Sequence, residues 1–236
     1  MIETVACTAS TNADMLARAD AGACEGSWLR AEQQSGGRGR LGRAWLSPVG
    51  NLYCSTLVRL RPDDRPPHLL TFVTGLAVLD TVRIIVPIAP ARLKWPNDVH
   101  VGGAKLSGIL LERRGDAVVV GIGLNVAVAP EISGRSVTSL HLEGAPVQID
   151  AAAVLDLLVN AFASRLFQWR TTDTAALLDV WCAAAHKPGE AMAVQRGVQD
   201  RVEGVFDGLS PQGALQLRCA DGRVEVVGAG DVDLLG

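Results

Sequence analysis

Three arginines stand among four glycines in the run Gln34-Ser35-Gly36-Gly37-Arg38-Gly39-Arg40-Leu41-Gly42-Arg43-Ala44-Trp45, which ends on a tryptophan. Glycine lets backbone approach a ligand closely and adopt positive φ. Arginine supplies fixed charge and forked donors that match carboxylate and phosphate. Tryptophan offers a flat face to a nucleobase. Together they suit the binding of an anionic, base-bearing ligand. The spacing Gly37-x-Gly39-x-x-Gly42 also matches a dinucleotide fingerprint, but that motif needs a helix to start at the loop, and Pro48 and Gly50 follow instead. No GxxxxGK[ST] occurs. Taken alone, the run also fits a solvated basic loop.

A second constellation is Leu93-Lys94-Trp95-Pro96-Asn97-Asp98, followed by Lys105-Leu106-Ser107-Gly108-Ile109-Leu110-Leu111-Glu112. Lys105 opens an apolar strand beside small residues, where a fixed cation neutralises charge developing on a phosphate or carboxylate oxygen. In isolation such a lysine also snorkels to water. Asp98 suits a metal or a substrate amine, and equally an ordinary turn after proline. A third run, Gly121-Ile122-Gly123-Leu124-Asn125-Val126, closes on an asparagine whose amide carries both a donor and an acceptor for an adenine edge. A left-handed turn residue is the alternative.

These residues need elements to hold them. Ser10, Thr11 or Asn12 caps a short helix through Met15 and Leu16 to about Ala19, ended by Gly22. Ser27 to Gln34 and Asn51 to Leu60 read as strands. Leu69, Phe72, Val73, Leu76 and Leu79 have helical spacing behind Pro66. Ala91 to Trp95 is a short strand stopped by Pro96, a hairpin turns at Gly102-Gly103, and Ala117 to Ile122 is a buried strand. Residues 151–168 and 172–185 form two helices. After Lys187 the pattern changes to short alternating runs separated by glycine, which predicts a small all-β barrel too small to stand without its neighbour. The domains are therefore 1–187 and 188–236.

The 236 residues are 48% hydrophobic with a net charge of -3, so no global basic field draws the chain to nucleic acid or anionic lipid. Five scattered cysteines form no CxxC pair, which argues against structural zinc and for a reducing compartment. The first residues lack the pattern of a secretion signal, and no run reaches the roughly 18 uninterrupted apolar residues of a membrane span. The expectation is a cytoplasmic protein without membrane contact.

The order STN, QQSGGRGRLGRAW, KWPND with KLSGILLE, and GIGLNV resembles the biotin–protein ligases across the whole chain. The stretch EGVFDGLSPQGALQLRCADGRVEVVGAGDV is similar to that family's SH3-like terminal domain. The resemblance implies an α+β fold: a mixed sheet with flanking helices, class II synthetase-like, followed by an SH3-like β-barrel. It implies that Ser10, Thr11, Asn12 and Gln34 contact the biotin head, and that Gly108 lines its pocket. Arg38, Gly39 and Arg40 would order over biotin and the adenylate, and Lys105 would touch the biotin carboxylate and the α-phosphate. Arg40, Arg43, Trp45, Lys94 and Asn125 would surround ATP and adenine. Arg38, Arg40, Lys105 and Asp98 are the catalytic candidates, with Mg²⁺ accompanying ATP.

The implied reaction joins biotin to ATP as biotinyl-5'-AMP and transfers it to a lysine of a biotin carboxyl carrier protein. Cations stabilise the phosphate centre, the loop shields the anhydride from water, and Asp98 positions or deprotonates the acceptor lysine. Two departures stand out. Many members have an Arg-Arg pair where this chain has Arg40-Leu41. Some carry an N-terminal helix-turn-helix, whereas STN begins here at residue 10, so the expectation is a ligase that binds no DNA, monomeric or weakly dimeric. A lipoate–protein ligase is the nearest rival, with GRGRLGR and KWPND favouring biotin.

Overall fold

Along Ala117–Leu124 (β7), Val118, Val120, Ile122 and Leu124 enter one core while Ala117 and Val119 enter another. A strand apolar on both faces belongs inside a sheet. The computed structural model, which describes residues 1–197 and 200–235, puts β7 at the centre of a seven-stranded mixed sheet. The other strands are Ile2–Thr8 (β1), Trp28–Gln34 (β2), Leu52–Arg59 (β3), Ala91–Lys94 (β4), Asp98–Val101 (β5) and Ala104–Arg114 (β6). The order is β1-β2-β3-β7-β6-β5-β4, with β1 parallel to β2 and the other neighbours antiparallel.

One face is covered by Leu70–Ile85 (α2) and, behind it, Ala151–Thr171 (α3), whose N-cap Asp150 accepts from the Ala153 amide at 2.9 Å. Pro67–Ile85 and Ala151–Thr171 are long and apolar enough on average to cross a membrane, although polar residues interrupt both. In α2 those apolar residues form the central core of the domain. Thr11–Asp20 (α1) lies on the opposite face, its Met15 and Ala19 packed on Leu29, Leu57, Ala117 and Val119. Ser10 caps α1 by accepting from the Ala13 amide, so the STN run is a helix start.

Thr174–Ala184 (α4) leads to a five-stranded antiparallel sheet of SH3-like kind: Ala191–Gln195 (β8), Arg201–Leu209 (β9), Leu215–Arg218 (β10), Val224–Val227 (β11) and Asp231–Leu234 (β12). Its ladder runs β11-β10-β9-β8-β12. Met192, Val194, Phe206, Leu215 and Val232 share one continuous core with α2, α3 and α4. The small sheet thus draws its burial from the larger one. Trp95 Nε1 donates to Gly213 O at 3.1 Å, and the Phe72 ring, edge-on to Trp181 at 5.0 Å, lies against Gly213.

One strand was not foreseen. β1 is exposed at most positions, so it carries no alternation of apolar residues; its parallel backbone pairing with β2 holds it.

Gly213 has φ +76 and no room for a Cβ before the Phe72 ring. Left-handed backbone and overpacking together predict that Gly213→Ala destabilises the protein by about 2–4 kcal/mol. Thermal denaturation would read this as a lowered Tm, and an unchanged Tm would mean that the two sheets do not meet there.

Candidate active site

The α1 face of the sheet changes character along β7: Ala117 and Val119 lie under α1, and Gly121 and Gly123 follow. Ser55 of β3 and Leu110 of β6 flank Gly121, while Tyr53 and Gly108 flank Gly123. The strands therefore present a floor stripped of side chains. Over it lies a cavity of about 510 Å³.

At Gly121 the vacant Cβ space is taken by the Asn12 side chain. Around it are Ser10, Thr11 and Gln34, set there by the start of α1 and the end of β2. Gln34 Oε1 accepts from the Thr11 amide at 2.9 Å, and Gln34 Nε2 donates to Ser47 Oγ at 3.3 Å. This end is neutral and rich in hydrogen-bonding groups.

At Gly123 and Gly108 the occupant is Trp45. A Cβ on Gly123 would lie 2.5 Å from Trp45 Cε2, and one on Gly108 would lie 2.9 Å from Cζ3. The indole is laid flat against the floor, with Lys105 Nζ 5.5 Å from its ring centroid. The loop before it turns at Leu41, whose φ of 58 is left-handed and whose side chain is 80% exposed.

Beyond Lys105 the cavity is ionic. Lys105 Nζ is 2.7 Å from Asp98 Oδ1, with His100 Nε2 3.9 Å from the same carboxylate. Burial alone would raise the Asp98 carboxyl; the His100 imidazole and the Lys105 ammonium outweigh it and hold Asp98 below the usual carboxylate range. Arg40 donates to Asn97 Oδ1 at 3.2 Å, and burial lowers both Arg40 and Lys94 from their ordinary values. Arg43 is ion-paired with Asp231, and Arg38 is exposed at the mouth.

All fourteen residues singled out from the sequence line this one cavity. Asn125 does so differently from either expectation. It is outside the left-handed region, and its buried amide donates to Thr138 O at 2.9 Å and accepts from Asn51 at 3.4 Å. Its amide is therefore held by the Thr138 carbonyl and the Asn51 side chain. Sequence reasoning missed His100, the 132–137 segment, and Asp231 and Asp233 from β12, which line the cavity, and Ser47, which orients Gln34. Only the fold brings these in, although Asn97 already lay within KWPND.

Comparison with known proteins agrees with this arrangement. The Biotin/lipoate A/B protein ligase family model matches residues 7–128, and the Biotin protein ligase C terminal domain model matches residues 192–235. The chain belongs to the biotin protein ligases. It is 36% identical to a biotin–[acetyl-CoA-carboxylase] ligase of Paracoccus denitrificans, covering 95% of this chain and 97% of that one. It is 39% identical to one from Mycobacterium tuberculosis, covering 98% and 88%. Biotin protein ligase from Aquifex aeolicus, solved with biotin and ATP, superposes with a TM-score of 0.85 at 28% identity over 99% of each chain. In this ligase the floor, loop and ionic end line a single cavity.

Because folding holds Asp98 below its ordinary value, its pairing contributes stability that is fully present above about pH 4 and lost as pH falls through the lower folded value. Asp98→Asn should therefore flatten the acid limb of a Tm-against-pH curve. An unchanged acid limb would show that the Asp98–Lys105 pair contributes nothing.

Proposed function

We propose that this chain joins biotin to ATP as biotinyl-5'-AMP and passes the biotinyl group to a lysine of a biotin carboxyl carrier protein. What carries the reading is the order of chemistry along one cavity: a neutral hydrogen-bonding pocket at Gly121, a flat apolar wall at Trp45, then Lys105 and a cationic end. A ureido ring, an aliphatic chain, a carboxylate and a triphosphate present matching chemistry in the same order.

In this reading Ser10, Thr11, Asn12 and Gln34 hold the head, Trp45 and Gly108 the chain, and Lys105 the carboxylate. The carboxylate oxygen attacks the α-phosphate and pyrophosphate leaves, with Arg38, Gly39, Arg40, Arg43 and Lys94 around the phosphates stabilising charge. The loop from Gly36 to Trp45 keeps water from the anhydride. Mg²⁺ fits a site whose hard oxygen donors are few, since it binds through one or two carboxylates and substrate phosphates; Asp98 and Asn97 are the side chains that would hold it. Asp98 is a poor base, because its neighbours depress its proton affinity; holding Lys105 in place is the role its geometry supports.

A lipoate ligase reading is weaker, because a dithiolane ring has no use for a pocket walled by Thr11, Asn12 and Gln34. The carrier expected is the acetyl-CoA carboxylase type, in the cytoplasm. Operator DNA is not an expected ligand, since the loop arginines line the cavity and many of the arginines outside it are paired with carboxylates.

Incubation with ATP and radiolabelled biotin or lipoate should yield a biotinyl adenylate and little lipoyl adenylate; the reverse preference would overturn the reading. Lys105→Ala should lower pyrophosphate release by about 10²–10³ with folding retained, since it removes a fixed cation at the reacting phosphate.

A further inference from the structure

From Thr11 and Asn12 in the wall of the head pocket a chain of hydrogen bonds runs back to Glu112, which is not among the residues lining the cavity. Asn12 Nδ2 donates to Glu112 Oε2 at 2.7 Å and to Leu110 O at 3.4 Å. A carboxylate and a carbonyl only accept, so the amide is fixed with its nitrogen toward β6 and its oxygen toward β3. Asn12 Oδ1 lies 2.6 Å from Ser55 Oγ, so Ser55, fully buried and holding one proton, must donate there. Ser55 Oγ is also 2.7 Å from Thr11 Oγ1 and has no proton left for it. The Thr11 proton therefore points into the wall, toward Ser55 or toward Gln34 Oε1 at 3.2 Å.

A second chain fixes Gln34 in the same sense. Ser47 Oγ donates to Trp45 O at 3.1 Å, a group that only accepts, so Ser47 receives Gln34 Nε2 at 3.3 Å. Gln34 Oε1 is thereby turned to Thr11, where it already accepts the Thr11 amide at 2.9 Å. Both chains spend the Thr11 proton inside the protein. What Thr11 offers the cavity is lone pairs alone.

We propose that Glu112, acting through Asn12 and Ser55, is a positioning residue that sets the hydrogen-bond polarity of the head pocket, so that Thr11 accepts and the pocket selects a ring bearing an N–H donor. This rests on the reading of the cavity as a biotin site and names what in it recognises the ring. A ureido ring meets the demand with its N–H groups. A cyclic carbamate, with oxygen replacing one N–H, puts lone pairs against lone pairs. A buried acceptor without a donor is costly, which is how such a site rejects a near-isostere.

The probes are biotin and its cyclic carbamate analogue, assayed by pyrophosphate release with the full chain. Wild type should prefer biotin by about tenfold or more. Glu112→Lys places a donor where an acceptor stood and leaves only the longer Leu110 contact to orient the Asn12 amide. It should raise the KM for biotin about tenfold and shrink the preference for biotin, with the KM for ATP unchanged. Glu112→Gln, which still accepts through its carbonyl oxygen, should restore both. If Glu112→Lys does not fold, as judged by Tm, Ser55→Ala breaks the same chain at its middle and should shrink the preference likewise. Retained preference in the folded variants overturns the proposal. A wild-type protein that does not adenylate biotin overturns the functional reading instead, so the two failures are distinguishable.

Discussion

A sheet face that carries side chains cannot also hold a ligand flat against it. Gly108, Gly121 and Gly123 remove those side chains from adjacent positions of β6 and β7, and the rest of the enclosure follows from the space they leave. Asn12 fills one part and Trp45 another, each packed so close that a methyl group on the floor would collide with it. The floor thus dictates where α1 begins and where the arginine loop must end. Glycine inside a strand weakens it, and here the flanking valines and leucines of a doubly buried strand supply the compensation.

Electrostatics divides the cavity as sharply as packing does. The head end has polar groups whose partners are protein groups, and the far end gathers Arg38, Arg40, Arg43, Lys94, Lys105 and Arg135, with Asp98, Asp231 and Asp233 the carboxylates that offset them among the described residues. Burial, with a smaller push from the Lys105 charge, pulls Lys94 down, while Asp98, Asp233 and Asp231 oppose the shift. An incoming triphosphate relieves that excess. The ionic end is therefore built for its ligand at some cost to the ligand-free protein.

Much of this was legible in the sequence because the signals were local. A cap at Ser10, a turn at Gly102-Gly103, the β-formers of β3 and the apolar run of β7 each depend on neighbours a few residues away. The loop and KWPND were legible for the same reason, their unusual composition being contiguous. What escaped was set by tertiary contact. β1 has no apolar face to betray it, and Ser55 and Glu112 are ordinary residues in ordinary strands until Asn12 is laid between them. The partners of Asn125 were not legible either, since Asn51 and Thr138 lie 74 and 13 residues away.

The pairing of Arg43 with Asp231 also has a meaning in time. Its partners are 188 residues apart, so at cellular translation speeds the loop is made roughly 10–40 s before the residue that anchors it. In the later part of that interval, once β7 is made, a nascent chain has the floor strands and the arginines but lacks the wall that β12 supplies. An enzyme that makes a reactive acyl phosphate gains from such an ordering: a half-made polypeptide on the ribosome, surrounded by the lysines of other proteins, lacks the finished enclosure in which to make it.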